Sequence, residues 1–302
     1  MSEERKILSI NPTEISTPEL HGYLLGAVSP RPIALVSTIS ASGDVNLSPF
    51  SFFNCFSARP PILIFSPARR VKGNTIKHTL ENVREVEEAV VSIVSFDMAE
   101  QMSLSSTEYD RGVNEFIKSG LTPVPSLKIK PPRVEESPVS FECRVLEIKS
   151  LGEEGGAGNL VICEVVYIHI NKEILTQEGK IDPLKLDPVA RLGGNWYSKL
   201  NKEALFEIEK PVRMKGIGFD QMPDHVKSST ILTGNNLGRL GNTEQLPDTK
   251  EVENYSNNFL KEIKLNYPPA SIEYKEALHR KAKDLIEQGN VEEAWMVLLS
   301  WM

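Results

Sequence analysis

The feature that most constrains the fold is a pair of long segments, residues 139–150 and 159–171, on either side of a glycine-rich stretch. Alternate residues from Ile162 to Ile170 are nearly all apolar, as expected of a strand with one buried face. The glycines between the two segments predict a hairpin connection. Shorter β-branched or apolar runs predict further strands at 32–39, 60–65 and 89–95. Few helices are predicted among them, which favours an antiparallel barrel over a doubly wound parallel sheet.

The character of the sequence changes near residue 205, which predicts a first domain at 1–204 and a C-terminal extension at 205–302. Glycines and polar residues dominate the start of the extension, where a loop is predicted near Pro247. Residues 270–302 predict two helices separated by Gln288-Gly-Asn290. Their tryptophans, Trp295 and Trp301, are expected in the core of this pair.

Composition excludes several classes of protein. The net charge of -7 disfavours a nucleic-acid partner. No apolar run approaches the roughly 20 residues that cross a bilayer, and the charged N-terminus does not fit a signal peptide. A cytoplasmic protein without membrane association is therefore expected. The three cysteines, which have no CxxC spacing, are interpreted as reduced thiols, and the scattered histidines predict no metal site.

A basic island lies within this acidic chain. Between Leu20 and Leu80 the only acidic residue is Asp44. The same stretch carries the basic residues Arg31, Arg59, Arg69, Arg70, Lys72 and Lys77. Either a small anion binds here or the charges cluster by chance on a solvated face. Residues 156–161 begin like a dinucleotide fingerprint but lack its third glycine and precede a strand, so another architecture must hold any nucleotide.

Residues 66–79 are the candidate phosphate site, because they join a strand to the N-terminus of a helix. That helix is predicted to be capped by Asn74 or Thr75 and to run to about Glu85. Its free N–H groups and dipole favour a phosphate. Hydroxyls and cations that could assist are those of Ser66, Thr79, Arg69, Arg70 and Lys77. The alternative is a capped helix with solvated basic residues.

A second candidate lies at residues 46–54, where polar and aromatic side chains alternate. Ser48, Ser51 and Asn54 are interspersed with Pro49, Phe50, Phe52 and Phe53. This mixture suits a flat ring with a polar edge, although an aromatic-rich core loop has the same composition. No nucleophile elbow is present, and His78 is more readily a structural residue than a general base. Such a scarcity of catalytic groups fits hydride transfer, in which a cofactor carries the chemistry.

Several of these blocks together resemble a known family. They are 30–38, 46–54, Lys77-His-Thr79, Glu136-Ser-Pro-Val with Glu142-Cys143, and Arg191-Leu-Gly-Gly ending in Tyr197. In order and spacing they look like the flavin reductase-like family of FMN-binding split barrels, over roughly residues 20–200. The resemblance implies a mainly β fold with helices: a six-stranded antiparallel barrel of Greek-key type. It also implies a homodimer with FMN near the subunit interface.

The resemblance also implies a set of cofactor-binding residues. Ser37 and Thr38 would lie along the flavin, and the isoalloxazine edge would be lined by Ser48, Pro49, Ser51, Phe52 and Phe53. Ser66, Lys77 and Thr79 would hold the phosphate, with Arg69 or Arg70 assisting. Arg31, Asn54, Arg191 and Tyr197 complete the predicted set. The family commonly has Lys-Asp-Thr where this chain has Lys77-His78-Thr79, a change that leaves the lysine and the threonine in place.

The predicted function is that of an NAD(P)H-dependent flavin reductase, in which NADH or NADPH passes hydride to flavin N5. A monooxygenase or another electron acceptor is the partner that the resemblance implies. An FMN electron carrier like flavoredoxin, without NAD(P)H turnover, is the first alternative. A barrel with another ligand, such as pyridoxal phosphate or haem, is the second.

Overall fold

Two structural units are present in the computed structural model, which describes residues 6–208 and 215–301. They are Met1–Phe206 and Glu207–Met302, and their boundary is two residues beyond the one that the sequence predicts. Parts of the charged N-terminus and of the glycine-rich start of the extension, at 1–5 and 209–214, lie outside the described residues, as does residue 302.

The strands of the first unit are β1 (Arg31–Pro32), β2 (Ala34–Ile39), β3 (Val45–Phe50), β4 (Phe53–Ala58), β5 (Pro61–Phe65), β6 (Glu88–Ile93), β7 (Pro123–Val124), β8 (Arg133–Val134), β9 (Val139–Ser150), β10 (Asn159–Ile170), β11 (Val189–Arg191) and β12 (Tyr197–Lys199). A large antiparallel sheet has the order β3-β2-β6-β9-β10-β5-β4. The hairpin predicted around the glycine-rich stretch is its centre, β9 with β10. A small sheet has the order β1-β11-β12, and β7 pairs with β8.

The large sheet curls into a barrel because of the way the chain joins its two edges. The edge strands are β3 and β4, and only Ser51 and Phe52 separate them in the sequence. A sheet whose opposite edges are joined by two residues must curve until those edges approach each other. The predicted antiparallel barrel is thus confirmed, but its sheet has seven strands where six are predicted. The extra strand arises because residues 46–54, a single candidate segment in the sequence, contain the end of β3, a turn and the start of β4.

The helices of the first unit are α1 (Thr17–Ala27), α2 (His78–Glu85), α3 (Ala99–Leu104), α4 (Glu115–Ser119) and α5 (Pro183–Leu186), with 3₁₀ turns at Phe96–Met98, Lys172–Ile174 and Lys202–Ala204. The prediction that Asn74 or Thr75 caps α2 is wrong, because the N-cap is Lys77, in extended conformation. Asn74 instead has a left-handed φ of 48°, and both residues hold a loop together through bonds to two arginines.

Two hydrophobic clusters flank the middle of the large sheet. Side chains alternate along β2, so Ala34 and Val36 pack inside the barrel while Leu35 packs on the opposite face. The inner cluster also contains residues from β5, β6 and β9 and from α2. The outer one includes Met102 of α3 and Phe116 of α4. The helices α2, α3 and α4 are therefore fixed against strands β2 and β3, which places their ends beside those strands.

The second unit is helical: α6 (Asp224–Lys227), α7 (Gly234–Gly241), α8 (Thr249–Phe259), α9 (Lys261–Asn266), α10 (Ile272–Glu287) and α11 (Val291–Leu299). The predicted final pair of helices is confirmed as α10 and α11, and Trp295 is fully buried. The loop predicted near Pro247 is present between α7 and α8, and a capping box begins each of these two helices. In the described part of the chain, no helix combines the length and the apolar character needed to cross a membrane.

Candidate cofactor site

A small polar pocket lies at the N-terminus of α2. Its walls come from β3, from the residues that lead into α2, from the segment after α3, and from α4. The side chains are those of Asn46, Ser48, Arg70, Lys77, His78, Thr79, Ser105, Ser106, Thr107, Glu108, Tyr109 and Glu115. The cavity volume is about 30 Å³, which suits a group of a few atoms, not a whole ligand. Four predicted site residues meet here: Ser48, Arg70, Lys77 and Thr79.

The loop before α2 is held in shape by its own arginines. Arg69 donates to Oδ1 and to the carbonyl oxygen of Asn74 at 2.6 and 2.7 Å. Arg70 donates to Thr75 Oγ1 at 3.1 Å and to the Ile76 carbonyl at 2.6 Å, and it forms a 2.9 Å ion pair with Glu108. Arg70 therefore faces the pocket, whereas Arg69 is engaged in closing the loop and does not line it.

Lys77 is a second cation of the pocket, beside Arg70. Its Nζ lies 5.2 Å from the centroid of the Phe50 ring. Burial and the neighbouring Arg70 lower the pKa of Lys77, while Glu108 opposes this shift. Among the described residues, no carboxylate lies within ion-pair distance of its Nζ. A half-buried cation beside a second cation is an environment that an anion would stabilise.

The first turn of α2 adds donors to this charge. No side chain caps the helix at Lys77, so the leading N–H groups keep their hydrogen-bonding capacity. Such groups and the helix dipole attract a phosphate. The sequence prediction of a helix terminus at this place is correct, although the helix starts about three residues later than predicted.

Thr79 is tied into a buried network that the sequence did not indicate. Its hydroxyl donates to Asn46 Oδ1 at 2.6 Å, and Asn46 Nδ2 donates to Glu115 Oε1 at 2.9 Å. The other carboxylate oxygen of Glu115 accepts from the backbone N–H of Leu47 at 2.9 Å. Burial raises the pKa of Glu115, and the hydrogen bonds from Leu47 and Asn46 oppose that shift. Nothing in the sequence around 115 distinguishes this glutamate from an exposed one.

The hairpin loop at 151–158 packs closely on the phosphate segment. The backbone N–H of Arg69 donates to the Ala157 carbonyl at 2.8 Å, and that of Gly156 donates to the Arg69 carbonyl at 3.0 Å. A Cβ on Gly155 would lie 2.9 Å from Cα of Val71, and one on Gly158 would lie 2.8 Å from Oγ of Ser66. Ser66 is buried under this hairpin and does not line the pocket.

A second group of predicted residues lies at the turn between β3 and β4. Ser51 Oγ accepts from Arg31 Nε at 3.4 Å, and the Phe52 ring meets the His21 ring edge-on at 6.3 Å between centroids. Pro49 and Phe53 flank the turn and are half-buried, whereas Asn54 is exposed and accepts from the N–H of Cys55. The aromatic and polar side chains predicted to meet a flat ring are thus neighbours along one edge of the barrel.

Arg31, Arg191 and Tyr197 form a row across the small sheet. Arg31 pairs with Arg191 in register, and Arg191 pairs with Tyr197, whose ring lies 4.4 Å from the guanidinium carbon. Arg31 is 5% exposed and donates to the carbonyls of Leu25 and Leu192 at 2.6 and 3.0 Å. Burial and the nearby Arg191 lower the pKa of Arg31. Its hydrogen bonds are those of a structural residue, while Arg191 and Tyr197 are partly exposed.

Ser37 and Thr38 do not reach the pocket. Both are fully buried on β2, between β3 and β6. Thr38 Oγ1 accepts from Asn82 Nδ2 of α2 at 3.1 Å, and Ser37 Oγ has no hydrogen-bond partner among the described residues. Because both faces of β2 are covered by hydrophobic clusters, these two hydroxyls are enclosed by protein.

Comparison with known proteins decides the family. A sequence model of the flavin reductase like domain matches residues 26–185, more than half of the chain. The chain belongs to the flavin reductase-like family. Both candidate groups described above, apart from Arg191 and Tyr197, fall within the matched residues. The predicted split-barrel fold of flavin reductase-like proteins is thereby confirmed, and the helical second unit lies beyond the matched domain.

Individual proteins are similar to this chain over about two thirds of its length. An uncharacterized protein of Aquifex aeolicus is 38% identical and covers 63% of this chain and 94% of its own length. Component B of nitrilotriacetate monooxygenase from Bacillus cereus is 31% identical, with a TM-score of 0.63, over 68% of this chain and 100% of its own. The 2-nitrobenzoate 2-nitroreductase NbaA from Pseudomonas fluorescens is 26% identical, with a TM-score of 0.61, over 70% and 100%.

Proposed function

We propose that this flavin reductase-like protein binds FMN, with the phosphate in the pocket at the N-terminus of α2. The observation that carries this proposal is the half-buried Lys77 next to Arg70, at a helix terminus without a side-chain cap. A phosphate would neutralise Lys77, which has no carboxylate partner among the described residues, and would accept from the free N–H groups. The pocket is too small for a whole FMN, so most of the ligand must extend along the surface.

Strand β3 gives the direction of that extension. It runs from Asn46 and Ser48 in the pocket to the turn that begins at Ser51, one residue beyond the end of the strand. A ribityl chain could follow this path and bring the isoalloxazine ring to Ser51, Phe52 and Phe53. There the backbone would form hydrogen bonds with the ring edge. Arg31, which bonds Ser51, is followed across the small sheet by the partly exposed pair of Arg191 and Tyr197.

We propose that the activity is NAD(P)H-dependent flavin reduction. Bound FMN would supply the two-electron chemistry, taking hydride from NADH or NADPH at N5 and passing electrons on. The residues of this chain would hold the phosphate and orient the ring, which is where most of the rate is expected to originate. Similarity to component B of a monooxygenase and to a nitroreductase supports a reductase. We propose a cytoplasmic location, where the nicotinamide nucleotides are available.

A homodimer is part of the same proposal. The two longest strands leave apolar side chains exposed, with Leu146 on β9 and Ile168 and Ile170 on β10 between 40% and 54% accessible. A second copy of this chain would bury them, and light scattering of the full chain tests this. A particle of one chain mass would contradict the homodimer. A monooxygenase that accepts the reduced flavin is the partner that the similarity to component B suggests.

Removal of the phosphate contacts tests the site. We expect Lys77→Ala combined with Thr79→Ala to weaken FMN binding at least tenfold, with the barrel still folded. Lys72→Ala is the matched control, because Lys72 lies on the same loop and is exposed. Flavin fluorescence titration measures both. Unchanged FMN affinity in the double variant would show that the phosphate lies elsewhere.

A turnover assay distinguishes the reductase from the electron carrier. The wild-type chain with excess FMN is expected to oxidise NADH or NADPH continuously, as followed at the absorbance band of the reduced nicotinamide. A yellow protein that does not consume either nucleotide would instead be a carrier. Absorbance spectra of the purified chain also test pyridoxal phosphate and haem, whose bands differ from those of a flavin.

A further inference from the structure

We infer that Glu115 is a positioning residue for the phosphate site, because it sets, through Asn46, the direction in which the Thr79 hydroxyl points. This inference rests on the proposed FMN site. The geometry is a chain of three hydrogen bonds that ends at the pocket: Leu47 N–H and Asn46 Nδ2 to Glu115, and Thr79 Oγ1 to Asn46 Oδ1. Asn46, Thr79 and Glu115 are all buried, with Thr79 only 1% exposed.

Each bond in this chain has a direction that chemistry fixes. An ionised carboxylate can only accept, so Asn46 must turn its amide nitrogen toward Glu115. Its oxygen then faces Thr79, whose hydroxyl must donate to it. With its proton committed in this way, Thr79 presents only lone pairs to the pocket. A phosphate dianion would meet an acceptor where the site needs a donor.

One proton on Glu115 reverses the chain. A protonated Glu115 can donate from Oε1 to Asn46 Oδ1 while Oε2 still accepts from Leu47. After this reversal of the Asn46 amide, its nitrogen donates to Thr79, and the Thr79 proton is free to bond the phosphate. The proton comes from solvent and is bound by the carboxylate, so FMN binding takes up one proton at Glu115. The carboxyl is already buried, and burial raises its pKa.

No other titratable group substitutes for Glu115 in this chain. The helix α4 packs against β3, which has no titratable side chain, and against α3, whose Glu100 is exposed. Arg70, Lys77, His78, Glu108 and Tyr109 line the same pocket, but none of them bonds to Asn46 or Thr79 in the described structure.

Glu115→Gln is the informative variant. The amide oxygen of the glutamine would accept from the backbone N–H of Leu47, because the amide nitrogen in that position would place two donors against each other. Its nitrogen would then donate to Asn46 Oδ1 and hold the network permanently in the reversed direction. We expect Glu115→Gln to bind FMN about tenfold more tightly than wild type at about pH 8, with the two affinities converging as the pH falls and Glu115 of the wild type takes up its proton.

Thr79→Val is the matched background, because valine has the shape of threonine without the hydroxyl. In that background, Glu115→Gln should leave FMN affinity unchanged at each pH. All four proteins keep the FMN phosphate and every other ionisable side chain unchanged, so ratios of FMN affinity between variants isolate Glu115. If wild type binds FMN and Glu115→Gln binds it equally well or more weakly at pH 8, the inference about Glu115 is overturned. The proposed FMN site would still stand. Wild type that binds no FMN would overturn both.

Calorimetry gives a second measurement that needs no substitution at Glu115. Titration of FMN near pH 7.5 in two buffers of different ionisation enthalpy yields the number of protons taken up. Wild type should take up close to one proton more than Thr79→Val. Equal uptake by the two proteins would contradict the role of Glu115, whether or not Glu115→Gln folds.

Discussion

Nζ of Lys77 lies 5.2 Å from the centroid of the Phe50 ring, so the main cation of the phosphate pocket rests on the apolar interior of the barrel. The aromatic face attracts the ammonium group. Burial and Arg70 act in the opposite sense, since they lower the pKa of Lys77. The protein thus maintains a charge at a place where the charged form is disfavoured, and a bound phosphate would offset that cost.

FMN affinity is therefore expected to fall on the alkaline side as Lys77 loses its proton. The lysine pKa in the free protein is lower than usual, so this loss begins at lower pH than for an exposed lysine. Lys77→Arg, whose guanidinium stays charged, should show a smaller fall in FMN affinity between about pH 7 and pH 10. Fluorescence titrations across that range measure the two slopes. Parallel slopes would mean that the charge of Lys77 does not act on the ligand.

Gly155 allows the hairpin loop to approach the phosphate segment. Its Cβ position lies 2.9 Å from both Cα and the carbonyl oxygen of Val71, which are backbone atoms that cannot turn aside. Gly155→Ala should displace the loop and weaken FMN binding several-fold. Gly22→Ala is the control, since nothing lies within 4 Å of that position in α1. Equal FMN affinity in the two variants would show that the hairpin loop does not affect the FMN site.

Arg31 is expected to contribute to stability more than to cofactor binding. Its guanidinium bonds the carbonyls of Leu25 and Leu192, which lie far apart in the sequence. Arg31→Ala should lower the free energy of unfolding by about 3 kcal/mol, because it leaves these carbonyls without a charged donor. The exposed Arg59→Ala serves as control in urea unfolding. If Arg31→Ala is as stable as wild type but binds FMN weakly, Arg31 acts in ligand binding and not in stability.

The helical second unit should lose stability in acid because of His279. Burial, with His225 and Lys275 nearby, lowers the pKa of His279 from 6.5 to about 4. The unfolded chain binds more protons between these values, so the free energy of unfolding falls as pH decreases from 6.5 to 4, by about 2 kcal/mol. His279→Gln should reduce this dependence, whereas His21→Gln, at an exposed site of the first unit, should not. Urea unfolding at several pH values, followed by the circular dichroism of the helices, measures the free energy of unfolding in each variant.

The strands and the phosphate segment could be predicted because their signals are local. The alternation of apolar residues from Ile162 to Ile170 reflects the pleat of a single strand. Arg70, Lys77 and Thr79 lie within ten residues of one another in the sequence. The start of α2 was mistaken because Asn74 and Thr75 are good caps. Here their polar groups instead satisfy the arginines of a tight loop, a tertiary demand that a helix signal does not reveal.

The parts that could not be predicted depend on contacts between distant residues. Glu115 is buried only because α4 packs on β3, which brings it to Asn46, 69 residues away in sequence. The resemblance alone assigns Ser37 and Thr38 to the flavin, but both faces of β2 are covered and both side chains are buried. In the second unit, the capping boxes at Thr233 and Asp248 were readable in the sequence, although polar composition concealed the helices that follow them.

The central claim is that the cationic N-terminus of α2 holds the phosphate of FMN. Titration of the full chain with FMN, followed by removal of free flavin and an absorbance spectrum, tests it most directly. The account predicts a yellow protein that retains FMN, and riboflavin, which lacks the phosphate, should bind at least tenfold more weakly. A folded chain that remains colourless, or one that binds riboflavin as tightly as FMN, would contradict it.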